Sequence, residues 1–302
     1  MIVLIFGASG MLGHQLCRIL SKRMDVWATV SKEPSVYAIY NIMPSNHLVG
    51  QVDIRDLTSL RSVIKAIHPQ TVINAVGIVK QRDEAKLAVP SIQINALFPH
   101  QLADLCSEYG IHVVHVSTDC VFSGKKGNYS EADNPDPVDL YGRSKLLGEL
   151  NQPNTLTLRT SIIGWELNNF FGLLSWFALQ RGKNIKGFRK AIYSGVSTAV
   201  LSALIGDIIE THPDLQGLYH VASRPISKNN LLIQLQDALG WNDISIEPDD
   251  EFLCDRSLNC QRLSTITGWH APSWAVMIDG LAKEWSDYQK WYPRYSNQSP
   301  HL

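Results

Sequence analysis

The amino-terminal stretch MIVLIFGASGMLG constrains the fold of this chain more than any other segment. An unbroken apolar run, Ile2 to Phe6, gives way to Gly7, Gly10 and Gly13, and then to the helical spacing Leu16, Cys17, Ile19, Leu20. Five apolar residues in a row suit a strand covered on both faces. A strand that turns through glycines into a helix leaves backbone N–H groups and the positive end of a helix dipole facing whatever lies beyond the strand. Pyrophosphate is the ligand that such an end accepts. Gly7 permits the tight turn, Gly10 lets a ligand approach the backbone, and Gly13 lets helix and strand pack closely. Met11 and Leu12 lie between these glycines and are expected to offer their amides. The spacing is GxxGxxG, where the commoner dinucleotide fingerprint is GxGxxG.

The rest of the first half repeats the theme. Apolar, β-branched segments at 2–6, Asp25–Val30, 47–52, Thr71–Ala75, His112–Ser117 and Thr155–Arg159 read as strands. Helical patterns begin near Met11, Leu57, Pro90 and Tyr141 between them. This alternation predicts an α/β protein with a Rossmann-type, doubly wound parallel sheet, its strands joined by right-handed crossovers. Ligands of such sheets sit at the carboxyl ends of the strands, so GASG, NAVG and STDCVF are expected to line one crevice. Beyond residue 161 the texture changes, with aromatics thickening between Trp165 and Tyr193. A helical run at 199–210 leads to a strand at 217–223 expected to rejoin the sheet. The predicted division is a dinucleotide-binding domain at 1–161, to which 195–222 returns. A smaller carboxyl-terminal substrate-binding lobe comprises 162–194 and 223–302. The polar tail beyond Trp291 is expected to fray.

Bulk properties exclude several classes of function. A formal net charge of −1 over 302 residues offers no general attraction to nucleic acid or to anionic membranes. No apolar run approaches the roughly 18 residues that cross a bilayer, and the start lacks the basic and cleavage regions of a signal peptide. The five cysteines, Cys17, Cys106, Cys120, Cys254 and Cys260, are odd in number and scattered. Reduced thiols in a cytoplasm fit better than disulfides or zinc. The histidines show no ligand spacing, so no metal is expected.

The chemistry is carried by Tyr141-Gly-Arg-Ser-Lys145. Residues four apart share one helix face. A phenol titrates near pH 10 and is inert near neutrality. An ammonium about 4 Å away favours its ionised form by roughly 4 kcal/mol at an effective dielectric of 20. Such a phenol can exchange a proton with a carbonyl or alkoxide oxygen. Lys145 is also placed to hold a nicotinamide ribose. Thr118 is the third expected member, with Ser117 as competitor, because alternate strand residues face opposite ways and only one of the two can reach the crevice.

The stretch HVSTDCVFSGKKGNYSEADNPDPVDLYGRSKLLGE, residues 115–149, resembles the core of the dTDP-4-dehydrorhamnose reductase family, within the extended short-chain dehydrogenase/reductases. Matching elements are Ser117-Thr118-Asp119, Val121-Phe122, Gly124, Tyr129, Glu131, Pro137 and Tyr141-Gly142-x-Ser144-Lys145. Leu158-Arg159-Thr160-Ser161, Gly217-x-Tyr219-His220 and Arg256-x-Leu258-Asn259 extend the likeness over about 260 residues. The resemblance implies hydride transfer from a reduced nicotinamide to the C4 ketone of a nucleotide-linked 4-keto-6-deoxyhexose, in deoxysugar and surface-polysaccharide formation. It implies that Tyr141 protonates the alkoxide, Lys145 lowers its pKa and Thr118 orients the carbonyl. The sequence departs from the family at Cys120, Ile162, Gly195-Val196-Ser197-Thr198 and Ser257. These departures touch substrate identity more than redox chemistry.

At the end of the second strand, Ser31 and Lys32 offer a hydrogen bond and a charge to a 2′-phosphate, favouring NADPH, while Glu33 keeps NADH open. Asp53 and Ile54 resemble the family's adenine-contacting pair, with helix capping the other account of Asp53. Ala75, Val76 and Gly77 are expected along the cofactor. Asn95 matches a family asparagine near the active site, or else serves as a structural helix residue. Asp119, Cys120, Val121, Phe122, Trp165, Tyr193 and Arg256 are expected around the substrate. Lys183, Lys186, Arg189 and Lys190 form a second basic cluster. Cys120 is expected to line the pocket, with a nucleophile as the less favoured reading. The rival functions are a nucleotide-sugar epimerase on the same scaffold and a non-catalytic, NADP-binding regulatory subunit. A homodimer is a further expectation.

Overall fold

The computed structural model describes residues 1–168 and 170–291; the tail beyond Trp291, expected to fray, lies outside the described residues. In the first half, strands β1 (Ile2–Phe6), β2 (Asp25–Thr29), β3 (Leu48–Val49), β4 (Thr71–Asn74), β5 (His112–Thr118) and β6 (Thr155–Thr160) alternate with helices. These are α1 (Gly13–Leu20), α2 (Leu57–Ile67), α3 (Ala88–Ser91), α4 (Phe98–Ser107) and α5 (Leu140–Leu147). The second half adds β7 (Ile162–Ile163), α6 (Leu173–Ala178), β8 (Asn184–Phe188), β9 (Ala191–Tyr193), β10 (Val196–Ser197), α7 (Thr198–Thr211) and β11 (Gly217–His220). It ends in β12 (Ile226–Ser227), α8 (Lys228–Leu239), β13 (Ser245–Asp249), β14 (Cys254–Asp255), α9 (Gln261–Thr267) and α10 (Trp274–Tyr288).

Seven strands form one sheet in the order β3-β2-β1-β4-β5-β6-β11, every pair parallel. The chain reverses its direction of travel across the sheet between β1 and β4, which opens a crevice at their carboxyl ends. Alternation along the strands sorts the core onto two faces. Val3 and Ile5 join Ile73, Val114, Leu156 and Leu158 on one side, while Leu4 and Phe6 join Val72 and Val113 on the other. Helix starts follow local capping chemistry. Asp56 accepts from Thr58 N, Asp139 from Gly142 N, Ser197 from Val200 N and Ser273 from Val276 N.

Strand β11 pairs with β6, residue 217 against 156 through 220 against 159. The line drawn at residue 161 is not a boundary in the core. Leu16 and Leu20 of α1 share one apolar cluster with Trp165, Leu201, Met277, Leu281 and Tyr288. Helix α10 therefore packs its apolar face into the same core that supports the glycine turn.

Candidate active site

The glycine turn is built by close contact. Gly7 has φ +93°, a left-handed backbone that side chains rarely adopt, and a Cβ there would meet Val76 Cγ2 at 3.0 Å. A Cβ on Gly13 would lie 2.0 Å from Gly7 O, so α1 can start this close to β1 only without one. Gly10 N donates to Gly7 O at 3.0 Å and closes the turn. Among the described residues, the Met11 and Leu12 amides donate to no backbone or side-chain acceptor. Unpaired N–H groups at a helix start are what an anionic ligand requires, so the cradle fits a pyrophosphate. Ala75, Val76 and Gly77 follow β4 directly beside this turn. Ser31 and Lys32 are exposed just after β2.

Across the crevice, Thr118 ends β5 and α5 brings up Tyr141 and Lys145. A Cβ on Gly142 would lie 2.2 Å from Cys120 O, so the absence of a side chain lets α5 press against the loop after β5. Asp139 caps that helix, accepting from Gly142 N at 2.8 Å, and pairs with Lys80 at 2.7 Å. The Thr118 hydroxyl faces the Tyr141 phenol and favours its ionised form, but burial, helped by Cys120, prevails and holds the phenol well above its ordinary pKa. Thr118 also donates to Asp119 Oδ1 at 3.2 Å and accepts from Cys120 N at 3.1 Å. Ser117 points the other way, donating to Glu149 Oε1 at 2.7 Å. Strand alternation thus decides between the two hydroxyls, and Thr118 is the one in the crevice.

Lys145 is 5% exposed and donates to Val116 O at 2.8 Å. A Cβ at Gly77 would be 4.0 Å from its Nζ, which places the ammonium beneath the loop after β4. Burial lowers its pKa to about 8, partly opposed by Glu149. Its backbone hydrogen bond turns the ammonium toward β5. One consequence is measurable. Any activity that needs the Lys145 charge falls as pH rises through about 8, not through the ordinary lysine range. The folded state also binds fewer protons than the unfolded between about 8 and 10.5, so this group makes stability rise with pH in that window. A kcat/KM profile and a urea midpoint series between pH 7 and 10.5, with Lys145→Met as reference, check both signs.

Several expected contacts are corrected. Val121 and Phe122 are fully buried in a cluster with Tyr129, Ala222 and Leu258, Phe122 stacking on Tyr129 at 4.2 Å. Trp165 is 1% exposed, donates to Leu281 O at 2.8 Å and packs on Trp241 and Trp285. All three are core residues: side chains from elsewhere in the chain close over them, including the Arg159 guanidinium over the Phe122 ring. Asn95 lies against the loop after β4, its Oδ1 3.4 Å from where a Gly77 Cβ would be. It is fully buried, accepting from Ile78 N at 2.8 Å and donating to Ile78 O and Ser144 Oγ, and so pins the loop after β4 to α5. Asp53 is not a cap; that role belongs to Asp56, and Asp53 pairs with Arg55 at 2.7 Å, next to half-buried Ile54. Of the basic cluster, Lys186 and Arg189 are neutralised by Asp249 and Asp250 beside β13.

On the substrate side, Asp119 is buried and its carboxyl is pushed up by desolvation, with Arg256 opposing. Arg256 Nε donates to Phe122 O at 2.8 Å. The Cys120 thiol is pushed up to about 12 by burial and Asp119, which leaves it protonated and no nucleophile. The Tyr193 hydroxyl is buried and lies in the field of Asp119. Glu166 was not legible in the sequence. It is a buried carboxyl whose pKa burial raises, and it accepts from Gly172 N at 2.6 Å beside Met11. Arg82 lies over the Phe171 ring at 5.6 Å, joining the loop after β4 to the segment after β7.

The sheet order, the glycine cradle and the Thr118–Tyr141 pairing coincide with a matched profile. A family profile described as the RmlD substrate binding domain matches residues 1–247. The chain belongs to that family. A dTDP-4-dehydrorhamnose reductase of Aggregatibacter actinomycetemcomitans is 29% identical over 90% of this chain and 87% of its own length. The solved structure of a hypothetical dTDP-4-dehydrorhamnose reductase from Sulfolobus tokodaii is 30% identical, with a TM-score of 0.72 over 91% of this chain and 98% of that one. A dTDP-4-dehydrorhamnose reductase from Bacillus anthracis, solved in complex with NADP, superposes with a TM-score of 0.78 at 24% identity, covering 94% of this chain and 99% of that one. As an RmlD-family member the chain shares the fold of these proteins, a parallel seven-strand sheet flanked by helices.

Proposed function

We propose that this chain is an NADPH-dependent reductase of the C4 ketone in a nucleotide-linked 4-keto-6-deoxyhexose, acting in deoxysugar and surface-polysaccharide formation. One observation carries the reading: the Thr118 hydroxyl faces the Tyr141 phenol at the crevice where Lys145 lies beneath Gly77. When bound, the reduced nicotinamide supplies the hydride that converts the ketone carbon to an alkoxide. Met11 and Leu12 amides hold the pyrophosphate, and Lys145 holds the ribose. Thr118 orients the ketone oxygen. Tyr141, kept neutral by burial, gives its proton to that oxygen as the hydride arrives, and the products are the alcohol and NADP⁺. Asp119, Tyr193 and Arg256 face the sugar. Ser31 and Lys32 receive the 2′-phosphate.

The protein works in a cytoplasm, which its five free thiols suit, and no described helix is long and apolar enough to cross a membrane. Exposed Leu87, Val89, Ile92, Leu97 and Leu147 on adjoining helices suit the face of a homodimer.

The decisive experiment follows the absorbance of reduced nicotinamide with a panel of 4-keto-6-deoxyhexose nucleotides. The expected result is stoichiometric NADPH oxidation with at least one of them. An epimerase would instead hold its nucleotide through turnover without net oxidation, and a regulatory subunit would bind NADPH and oxidise none. Lys32→Ala is expected to weaken NADPH about fivefold, the loss of one charge-assisted phosphate contact, while leaving NADH unchanged. Equal loss for both coenzymes in a titration removes Lys32 from the phosphate site.

A further inference from the structure

We propose that His14 and Tyr288 form a hydrogen-bond relay through which the carboxyl-terminal helix α10 sets the direction of the Met11 amide, and with it the affinity of the pyrophosphate subsite. The inference rests on the dinucleotide reading of the glycine turn and goes beyond it, to residues that never touch the ligand. His14 and Tyr288 are both fully buried, although they are 274 residues apart. His14 Nδ1 lies 2.7 Å from Gly10 O, and His14 Nε2 is hydrogen-bonded to the Tyr288 hydroxyl.

The protons can be assigned from the chemistry of the groups. A carbonyl only accepts, so His14 Nδ1 carries hydrogen and donates to Gly10 O. Burial lowers the ring's pKa to about 4, so the ring is neutral and Nε2 is an acceptor. The Tyr288 hydroxyl must therefore donate to Nε2. Its oxygen in turn accepts from Gln15 Nε2 at 3.2 Å and faces Arg18 Nη1 at 3.4 Å. Gln15 is itself held by Glu284 Oε1 at 3.1 Å. Every link from α10 to Gly10 is thus directional.

Gly10 O accepts a second bond, from His14 N at 3.2 Å. In a planar trans peptide the carbonyl of one residue and the N–H of the next point in opposite directions. Two donors on the Gly10 carbonyl therefore aim the Met11 N–H away from the helix, toward the open side of the turn. Glycine at position 10 supplies no side chain to resist rotation of that peptide, so the orientation depends on the pin. Helix α10, anchored in the core by Met277, Ile278 and Leu281, is the rigid support behind it.

The test compares two ligands by calorimetric titration: NADPH, which carries the pyrophosphate, and adenosine 2′-phosphate, which lacks it. Variants are Tyr288→Phe, His14→Leu, the double substitution, and Met277→Ala as a core lesion in α10 outside the relay. Each single relay variant is expected to weaken NADPH about five- to tenfold, the partial loss of one hydrogen bond to a charged group, with adenosine 2′-phosphate held within about twofold. The double variant is expected to be no weaker than His14→Leu alone, since the two act in series. Met277→Ala is expected to lower the melting temperature without altering the ratio of the two affinities. A folded Tyr288→Phe protein with unchanged NADPH affinity overturns the relay. So does parallel weakening of both ligands, which marks general damage. Failure of the unsubstituted chain to bind NADPH is a different result, and it overturns the dinucleotide reading itself.

Discussion

Replacing Tyr141 by Phe is expected to lower kcat about a thousandfold while leaving the affinity for NADPH within about twofold, the usual size of a lost general acid. The phenol sits against the Thr118 hydroxyl, and burial holds its proton firmly. A firmly held proton suits reduction, where the group must be protonated when the alkoxide forms. The phenyl ring retains the packing of α5 against the loop after β5, so the lesion is confined to one oxygen. Stopped-flow measurement of nicotinamide oxidation, with calorimetric titration of NADPH on the same sample, separates chemistry from binding. A Tyr141→Phe protein that turns over at the parental rate shows that the proton comes from elsewhere, and Tyr141 then loses its assigned role.

Glu149→Ala is expected to destabilise the fold by about 4 kcal/mol, the range seen when one partner of a buried ion pair is removed. Arg159 and Glu149 are 5% and 8% exposed, and Arg159 donates to both carboxylate oxygens, Nε and Nη2 each at 2.7 Å. The same carboxylate accepts from Ser117, so its loss orphans a guanidinium and a hydroxyl together. Arg159 also reaches His220 on β11 and lies over the Phe122 ring at 5.3 Å, so the pair ties three adjacent parallel strands to the end of α5. For a chain of this length, about 4 kcal/mol corresponds to roughly 6 °C in melting temperature. Urea unfolding of Glu149→Ala and of Glu149→Leu/Arg159→Met gives the check. The apolar pair is expected to recover most of the loss, because it leaves no charge stranded. Equal loss in both variants would place the cost in packing. Glu149 also props up the charge of Lys145, so the alkaline limb of activity is expected to move to lower pH in Glu149→Ala.

Much of the architecture could be read from local pattern. The run Ile2–Phe6 became a central strand with alternate side chains in two cores, because continuous apolar sequence can be buried only where both faces are covered. The glycine spacing could also be read locally, since a missing Cβ acts on immediate neighbours. Gly7, Gly10 and Gly13 all lie within one turn of each other's backbone. Tyr141 and Thr118 were legible as residue types in a familiar spacing.

What failed was judgement of which side chains would face the crevice. Trp165, Val121 and Phe122 look like pocket residues in sequence, but their surroundings come from β11, α8 and α10, far along the chain. Asn95 is spent on a loop and a helix that only folding brings beside it. Lys145 shows the limit most clearly. Helical spacing put it on the face of Tyr141, but only folding supplied the Val116 carbonyl of β5 to which its ammonium donates.

Sequence alone determined the parallel sheet and the glycine turn, because these depend on periodicity and on neighbours a few positions away. Tertiary structure alone decided that Ser117 serves Glu149 while Thr118 serves the crevice, that Lys145 titrates near 8, and that Tyr288 supports Gly10. Burial and long-range hydrogen bonds set these properties, and both are sums over residues that the chain brings together only when it folds.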